Sequence, residues 1–282
     1  METRQLDERD RSAAEAFLVK HRDSSMFLRS NIRRAGFTFS GRPFEATYMA
    51  VFDAGRIVAV IAHSWNGMLM VQAPVEAEAL AHALVRASGR RVTGFSGPRE
   101  QVRHVRTALG LLEAPAQMDE DEDLYGLQLE ALRVPARMEE IVCRPAQPQD
   151  RDTLLQFRLA YEIEALGGGD DAQSRERVAT FLDAQLAAGH VWVALAAGKL
   201  VSLSAFNAAL PDIVQLGGIF TPPEQRGRSY AKHAVGAQLL AARSAGANRS
   251  VLFTKNPSAV RCYEALGFVR LSEFALVLLN HS

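Results

Sequence analysis

The sequence predicts an α/β (α+β) protein built from two domains, each a mixed, mostly antiparallel twisted sheet flanked by helices. Three observations lead to this prediction. The chain has 282 residues, which is long for one hydrophobic core and comfortable for two. Segments with helical periodicity alternate with segments typical of strands. Two pairs of similar segments also recur in the same order in the two halves, as expected of a duplication.

The first pair of similar segments is AGRIVAVIAHSW at 54–65 and AGKLVSLSAFNA at 197–208, each a glycine turn followed by an apolar strand. The second pair is GFSGPREQVRHVRTALGL at 94–111 and LFTKNPSAVRCYEALGF at 252–268, each a strand, a proline turn and a helix ending in ALG. Aligning the ALG triplets places Arg106 opposite Tyr263. Between the paired segments the first half is shorter, and the second half carries TPPEQRGRS there. We therefore predict domains at 1–135 and 142–282, with the chemistry in the second.

Composition and charge exclude several classes of partner. Lys+Arg and Asp+Glu number 32 each, so no global field draws the chain to nucleic acid or to an anionic membrane. The first residues, METRQLDERDRSAAE, do not form a signal peptide, and the apolar runs are too short to span a bilayer, so a cytoplasmic location is expected. Cys143 and Cys262 have no metal-ligand spacing, so no metal is expected. The acidic run at 119–123 predicts a solvated hairpin tip.

The elements of the second half follow in order from capping and turn signals. Pro148 and Asp150 precede a helix predicted over 151–166, and GGGDD then forms a flexible break before a second helix. The remaining elements alternate, with predicted bounds as follows: helix 174–188, strands 191–196, 200–207 and 213–220, a helix to about 245, strand 250–254, helix 257–266 and one or more strands in 268–279.

The segment TPPEQRGRSYAK at 221–232 places Arg226, Arg228 and Lys232 at the start of a helix. The first turn of a helix carries unpaired N–H groups and the positive end of the macrodipole, so cations are disfavoured there unless an anion is bound. The pattern therefore indicates a helix start that binds phosphate. The alternative is a basic helix start on a solvated surface.

These features resemble the GCN5-related N-acetyltransferases (the GNAT superfamily). The pyrophosphate loop of that family, Q/R-x-x-G-x-G/A, falls on RGRSYA, from Arg226 to Ala231. A second family motif, N-x-x-A-x-x-x-Y-x-x-x-G-F, is met at every position of 256–268. The resemblance covers about residues 144–282. The first half then resembles a degenerate copy, as in tandem members of the superfamily.

The resemblance implies acetyl-CoA as the co-substrate, without a metal. The cofactor-binding residues that it implies are Ile219, Phe220, Thr221, Arg226, Gly227, Arg228, Ser229, Tyr230, Ala231, Asn256 and Tyr263. GGIF at 217–220 is expected to pair with the pantetheine arm, and its alternative is a plain buried strand. Ser229 replaces the central glycine of the family loop, and its hydroxyl could itself bind a phosphate oxygen. Asn256 could instead cap the helix that Pro257 begins.

The matched motif favours Tyr263 as the general acid, because a phenol within hydrogen-bond reach can protonate the departing thiolate. The alternative is a core aromatic on an amphipathic helix. Glu162 and Glu164 are the candidate general bases, since the resemblance places substrate-binding helices there; either could also be ordinary helix surface. The implied function is direct transfer of acetyl from acetyl-CoA to a primary amine of a small molecule or peptide. A homodimer is compatible with this. The alternatives are a non-catalytic CoA-binding or regulatory protein, and transfer of a longer acyl group.

Overall fold

The structure is a computed structural model that describes residues 1–136 and 141–280. The chain divides into two compact units, Met1–Leu124 with Ser272–Ser282 (unit 1) and Tyr125–Leu271 (unit 2). Each half of the chain runs through a strand, two helices, three strands, a helix, a strand, a helix and a last strand. The predicted fold class, two mixed α/β domains, is confirmed.

Unit 1 is built on a mixed sheet with strand order β1-β2-β3-β4-β5-β12, in which β4 and β5 are parallel and the other neighbours antiparallel. Alternate residues of β2 face opposite layers: Tyr48 packs with the two N-terminal helices, and Met49 packs with the other two. Its elements are β1 Glu2–Gln5, α1 Arg11–Lys20, α2 Met26–Ala35, β2 Ala46–Asp53, β3 Arg56–Ser64, β4 Met68–Gln72, α3 Ala77–Ser88, β5 Gly94–Pro98, α4 Arg99–Ala108, most of β6 Ala116–Gln128 and most of β12 Val269–Leu279.

Unit 2 repeats this plan with the order β7-β8-β9-β10-β11, where β10 and β11 are parallel and the other neighbours antiparallel. One face of its sheet packs with the two helices that follow β7, and the other face packs with the last two helices. Its elements are β7 Val142–Pro145, α5 Arg151–Leu166, α6 Ala172–Ala187, β8 Val191–Ala196, β9 Lys199–Ala209, β10 Ile213–Phe220, α7 Tyr230–Ser244, β11 Arg249–Phe253 and α8 Pro257–Leu266.

The predicted elements of the second half are confirmed, and α5, β8, β10 and α8 have the predicted bounds. The similar segments also adopt similar backbone conformations. In the first pair, Ala54 and Gly55 have φ of 46° and 76°, and Ala197 and Gly198 have 49° and 75°, as in tight hairpin turns with two left-handed residues. In the second pair, α4 and α8 are each followed by a glycine with positive φ. The local geometry therefore supports an internal duplication.

The prediction of a hairpin tip at residues 119–123 is wrong, because these residues lie inside the long strand β6. The acidic side chains are tolerated in a strand because arginines neutralise them. Arg106 pairs with Asp119 at 2.7 Å, and Arg99 pairs with Asp121 at 2.8 Å.

The compact units differ from the predicted ranges 1–135 and 142–282 in two segments, because residues 125–135 lie in unit 2 and Ser272–Ser282 lie in unit 1. Residues 274–278 of β12 pair antiparallel with Gly94–Pro98 of β5, which places this segment in unit 1. The predicted junction includes residues 137–140, which lie outside the described residues, so the junction itself stays a prediction.

Candidate functional site

The end of β10 separates from its parallel neighbour. Pairing with β11 covers Ile213–Gln215, whereas β10 continues to Phe220. The register of β10 against β9 also shifts between Gly217 and Phe220, so this stretch contains a bulge. Gly218 lies in the bulge with φ of 65°, a conformation that glycine adopts without a steric penalty. The bulge thus changes the direction of the last residues of β10, which follow the part of the strand that pairs with β11.

Residues at this end of β10 contact opposite layers of unit 2. The Ile219 side chain packs against the apolar cluster that contains Tyr263. The Phe220 ring lies on the other face, 5.7 Å from the ring of Phe157 in α5. Thr221 is anchored by a 2.9 Å hydrogen bond between its Oγ1 and Ser202 Oγ. The strand end is therefore held firmly on both faces.

The turn from β10 to α7 is exposed from Arg226 to Ser229. Ser229 is the N-cap of α7 and has φ of 63°, so this position does require the left-handed conformation that a glycine would supply. α7 has no acidic residue in its first turn, which contains Tyr230, Ala231 and Lys232. Arg228 also lies beside this helix start. The result is an exposed, cationic helix N-terminus, which suits a phosphate group.

Arg226 forms an ion pair and a hydrogen bond with other residues of unit 2. Its Nη2 lies 2.7 Å from Glu164 Oε2, and its Nε donates a 2.9 Å hydrogen bond to the carbonyl of Thr221. The guanidinium also lies 5.7 Å from the centre of the Phe220 ring. Glu164, a candidate base, therefore neutralises a residue of the predicted phosphate turn. A phosphate that binds Arg226 must compete with this carboxylate.

Asn256 caps α8. Its Oδ1 accepts hydrogen bonds from the backbone N–H groups of Ser258 at 2.9 Å and Ala259 at 3.3 Å. The capping alternative for Asn256 is therefore confirmed, while contact with a cofactor stays a prediction.

Tyr263 is a buried residue of α8, with 6% of its surface exposed. Its ring packs edge-on against Phe268, with ring centres 5.7 Å apart. Burial raises the pKa of the phenol above its usual range, and the neighbouring Cys262 and Tyr161 raise it further. The phenol is thus protonated at neutral pH.

A buried arginine in α5 was not anticipated from the sequence. Arg158 has 4% of its side chain exposed, and its Nη2 lies 3.4 Å from Glu162 Oε1. Its guanidinium lies 4.9 Å from the ring centre of Tyr161 and 5.4 Å from that of Phe181. Burial lowers the pKa of Arg158, and Tyr161 and Glu162 oppose the shift.

Two nitrogens of Arg158, Nε and Nη1, are buried without a hydrogen-bond partner in the described part of the chain. A Cβ atom at Gly218 would overlap Nη1, so the guanidinium lies directly against the β10 bulge. One sequence signal could have found this residue. Arg158 follows the fully buried Leu154 by one helical turn, so it is a charge on the apolar face of α5.

The described residues lack both a membrane-spanning helix and a metal-binding cluster. None of the helices there is both long enough and apolar enough to cross a membrane. Residues 1–136 and 141–280 also contain no cluster of three or more His, Cys, Asp or Glu side chains suited to hold a metal.

Comparison with known proteins relates these features to one class of fold. Residues 157–268 match the family model described as "Acetyltransferase (GNAT) family". A GCN5-related N-acetyltransferase from Sphaerobacter thermophilus is 14% identical, with a TM-score of 0.60 over 98% of this chain and 94% of that one. An acetyltransferase of the GNAT family from Colwellia psychrerythraea is 13% identical, with a TM-score of 0.55 over 99% of this chain and 100% of that one. No curated protein matches the sequence significantly.

The similarity extends to proteins with two such domains. A tandem GNAT protein from the clavulanic acid biosynthesis pathway is 15% identical and has a TM-score of 0.54, covering 100% of this chain and 99% of that one. The fold is therefore that of two GNAT-like domains. The match to the GNAT family model is confined to residues 157–268, in the second domain.

Proposed function

We propose that unit 2 binds acetyl-CoA and transfers its acetyl group directly to a primary amine. The observation that carries this proposal is the departure of β10 from β11 after Gln215, with a bulge at Gly218. The departure leaves a strand edge for an extended ligand arm, and the cationic start of α7 follows at once in the chain. Tyr263 packs in the same cluster as Ile219 of that strand end.

The phosphate groups of the substrate would lie at the exposed turn. The N–H groups of the first turn of α7 and the side chain of Arg228 would donate hydrogen bonds to them. Ser229, in its left-handed conformation, orients these N–H groups in the direction in which a glycine would hold them. Binding of Arg226 to phosphate would release Glu164.

The transfer step needs one group to accept a proton and another to donate one. The amine nitrogen attacks the thioester carbonyl carbon, so an N–C bond forms and the C–S bond breaks. Tyr263 would give its phenolic proton to the departing sulfur. Glu162 would accept the proton that leaves the amine, since its ion pair with Arg158, at 3.4 Å, is longer than the 2.7 Å pair between Glu164 and Arg226. Glu162 then releases its proton to solvent and the Tyr263 phenolate takes one up, so both groups return to their starting states.

A calorimetric titration with acetyl-CoA tests the phosphate site. We expect Arg228→Ala to weaken binding by about 10-fold to 100-fold, the usual worth of a hydrogen bond to a charged group. Ala231→Glu should weaken binding at least as much, because a carboxylate would then occupy the helix start. Ala231→Gln is the control of equal size and should bind acetyl-CoA much more tightly than Ala231→Glu.

Two results would contradict the proposal. One is a folded wild-type protein that shows no saturable binding of acetyl-CoA. The other is equal affinity in the glutamate and glutamine variants at position 231, since the charge at the helix start would then be irrelevant.

One observation favours a second candidate function, a non-catalytic CoA-binding or regulatory protein. Both candidate bases are engaged in ion pairs, Glu162 with Arg158 and Glu164 with Arg226. Thiol release that depends on an added amine would support the enzyme. Tight binding of CoA without such release across a broad amine panel would support the binding protein.

A further inference from the structure

Arg158 is a charge that the described residues leave only partly compensated. Its side chain is almost fully buried, and Nε and Nη1 have no hydrogen-bond partner there. Glu162 contacts Nη2 alone, at 3.4 Å, which is long for a charge-assisted hydrogen bond. Stacking on Tyr161 and Phe181 offsets part of the desolvation, but it cannot satisfy N–H groups.

Packing alone does not explain an arginine here. An apolar side chain of similar length would fill the space between Tyr161 and Phe181 without burying a charge, and such replacements are often neutral or stabilising. The residue therefore reduces the stability of the free protein. A ligand that accepts hydrogen bonds from Nε or Nη1 would reverse this loss.

The place of the guanidinium indicates which ligand this is. Nη1 lies against Gly218 at the bulge of β10, where the reacting end of the acyl donor is expected. Tyr161, which stacks on Arg158, is close enough to Tyr263 to raise its pKa. A group bound by Arg158 would therefore lie beside the reacting centre, on the acceptor side formed by α5.

We infer that Arg158 binds a carboxylate of the acceptor, and that the acceptor is an amine with a carboxylate close to its amino group, such as an α-amino acid. Guanidinium groups match carboxylates in charge and hydrogen-bond geometry. Glu162, the neighbour of Arg158, supplies the opposite charge for the ammonium group. The pair is thus complementary to a zwitterion. This inference rests on the proposed acetyl transfer.

Entry of the acceptor requires the last turns of α5 to move away from β10, because Arg158 is covered in the free protein. Gly167 ends α5 with φ of 63°, and Gly168 and Gly169 follow it. Glycines allow many backbone conformations, so this segment can accommodate such a movement.

The test compares matched acceptors in the full-length protein. Each pair consists of an L-amino acid and the amine that lacks its carboxylate, for example phenylalanine and 2-phenylethylamine. We expect kcat/KM for thiol release from acetyl-CoA to favour the amino acid of the natural class by about 100-fold, the upper range for a hydrogen-bonded charge. Arg158→Met should abolish this preference, mainly through KM. Arg158→Lys should retain part of it.

Two controls separate recognition of the acceptor from folding and from donor binding. Acetyl-CoA affinity should be the same in the wild type and in Arg158→Met. The melting temperature of Arg158→Met should be no lower than that of the wild type, because the variant removes a buried charge. Equal rates for amines with and without a carboxylate, or an unchanged preference in Arg158→Met, would overturn the inference.

The change in melting temperature on adding each L-amino acid, measured without acetyl-CoA, tests the carboxylate site independently of donor binding. If acetyl-CoA does not bind, the proposed function fails, yet this measurement still decides the role of Arg158. A stabilisation by amino acids that Arg158→Met loses would support the carboxylate site. Its absence across all twenty amino acids in the wild type would overturn it.

Discussion

Helix α3 of unit 1 and helix α7 of unit 2 occupy equivalent places in the two units. Each begins at an N-cap residue with left-handed φ, but the side chains at the two helix starts carry opposite charges. In unit 1, Glu76 is the N-cap of α3 with φ of 53°, and Glu78 lies in the first turn. In unit 2, Ser229 is the N-cap of α7 with φ of 63°, and its first turn has no acidic residue. The positive end of the macrodipole is therefore balanced in unit 1 by the chain's own carboxylates, whereas in unit 2 it is open to an external anion.

The connections before these helices differ accordingly. In unit 1, residues 73–76 join β4 to α3, whereas in unit 2, residues 221–229 join β10 to α7 and carry the arginines. The short connection cannot wrap around a pyrophosphate. We therefore propose that the first unit is a degenerate copy that has kept the fold and lost the donor site.

The positions aligned by the ALG triplets show the same contrast. Tyr263 in unit 2 is a buried phenol held by apolar contacts. In unit 1, Arg106 donates hydrogen bonds to Asp119 at 2.7 Å and 2.9 Å and to the carbonyls of Leu111 and Leu112. A residue that stabilises the fold thus occupies the place of the proposed acid. This difference yields the prediction with the largest expected effect.

Tyr263→Phe should lower kcat by about 100-fold to 10,000-fold, because it removes a general acid while preserving the ring. Acetyl-CoA affinity, measured by calorimetry, should be nearly unchanged. Arg106→Leu, at the aligned position of unit 1, should lower the melting temperature but leave kcat/KM unchanged. A fully active Tyr263→Phe enzyme would remove the tyrosine from the mechanism.

A second prediction concerns His63 of β3, which aligns with Phe206 of β9. His63 is fully buried; Nδ1 lies 2.7 Å from Ser88 Oγ and Nε2 lies 3.2 Å from the carbonyl of Arg91. Burial, assisted by Arg90, lowers the pKa of His63 to about 4. Between about pH 6.5, the ordinary pKa of histidine, and pH 4, His63 is protonated in the unfolded chain but neutral in the folded protein.

Folding stability is therefore lost as pH falls from about 6.5 to 4, by roughly 2 to 3 kcal/mol from this group. His63→Phe should flatten that part of the curve of unfolding free energy against pH, measured by urea denaturation. Phe206→His would be the reciprocal variant and should add acid sensitivity to unit 2. An unchanged pH dependence in His63→Phe would mean that the pKa of His63 is nearly the same in the folded and unfolded chains.

The smallest expected effect concerns the two left-handed N-caps. Ser229→Gly should raise the free energy of unfolding by up to about 1 kcal/mol, since a side chain is strained at this φ value. Glu76→Gly should raise it less, because this variant also removes a carboxylate that balances the macrodipole of α3. Only Ser229→Gly should change acetyl-CoA affinity, by a few-fold, because its hydroxyl lies at the proposed phosphate site. A similar change in affinity for both variants would contradict the assignment of the donor site to unit 2.

Much of the candidate site was predictable because its signals are local. The Asn256–Pro257 start of α8, the glycine turn after β8 and the apolar run of β10 are each encoded within a few neighbouring residues. The basic turn before α7 was also predictable, because cations at a helix start conflict with the macrodipole. The acidic stretch of β6 led to the wrong prediction of a hairpin tip, because the arginines that pair with it are not neighbours in the sequence.

The sequence by itself determined the order of the elements, the positions of the turns and the candidate phosphate and proton-donating residues, since periodicity and turn chemistry act over a few residues. Only the tertiary structure decided that Arg158 is buried against Gly218, that Glu164 neutralises Arg226, and that β12 pairs with β5. Each of these contacts joins residues that are about 60 or more positions apart. Local propensity carries no information about such partners, because packing and charge pairing depend on which surfaces folding brings together.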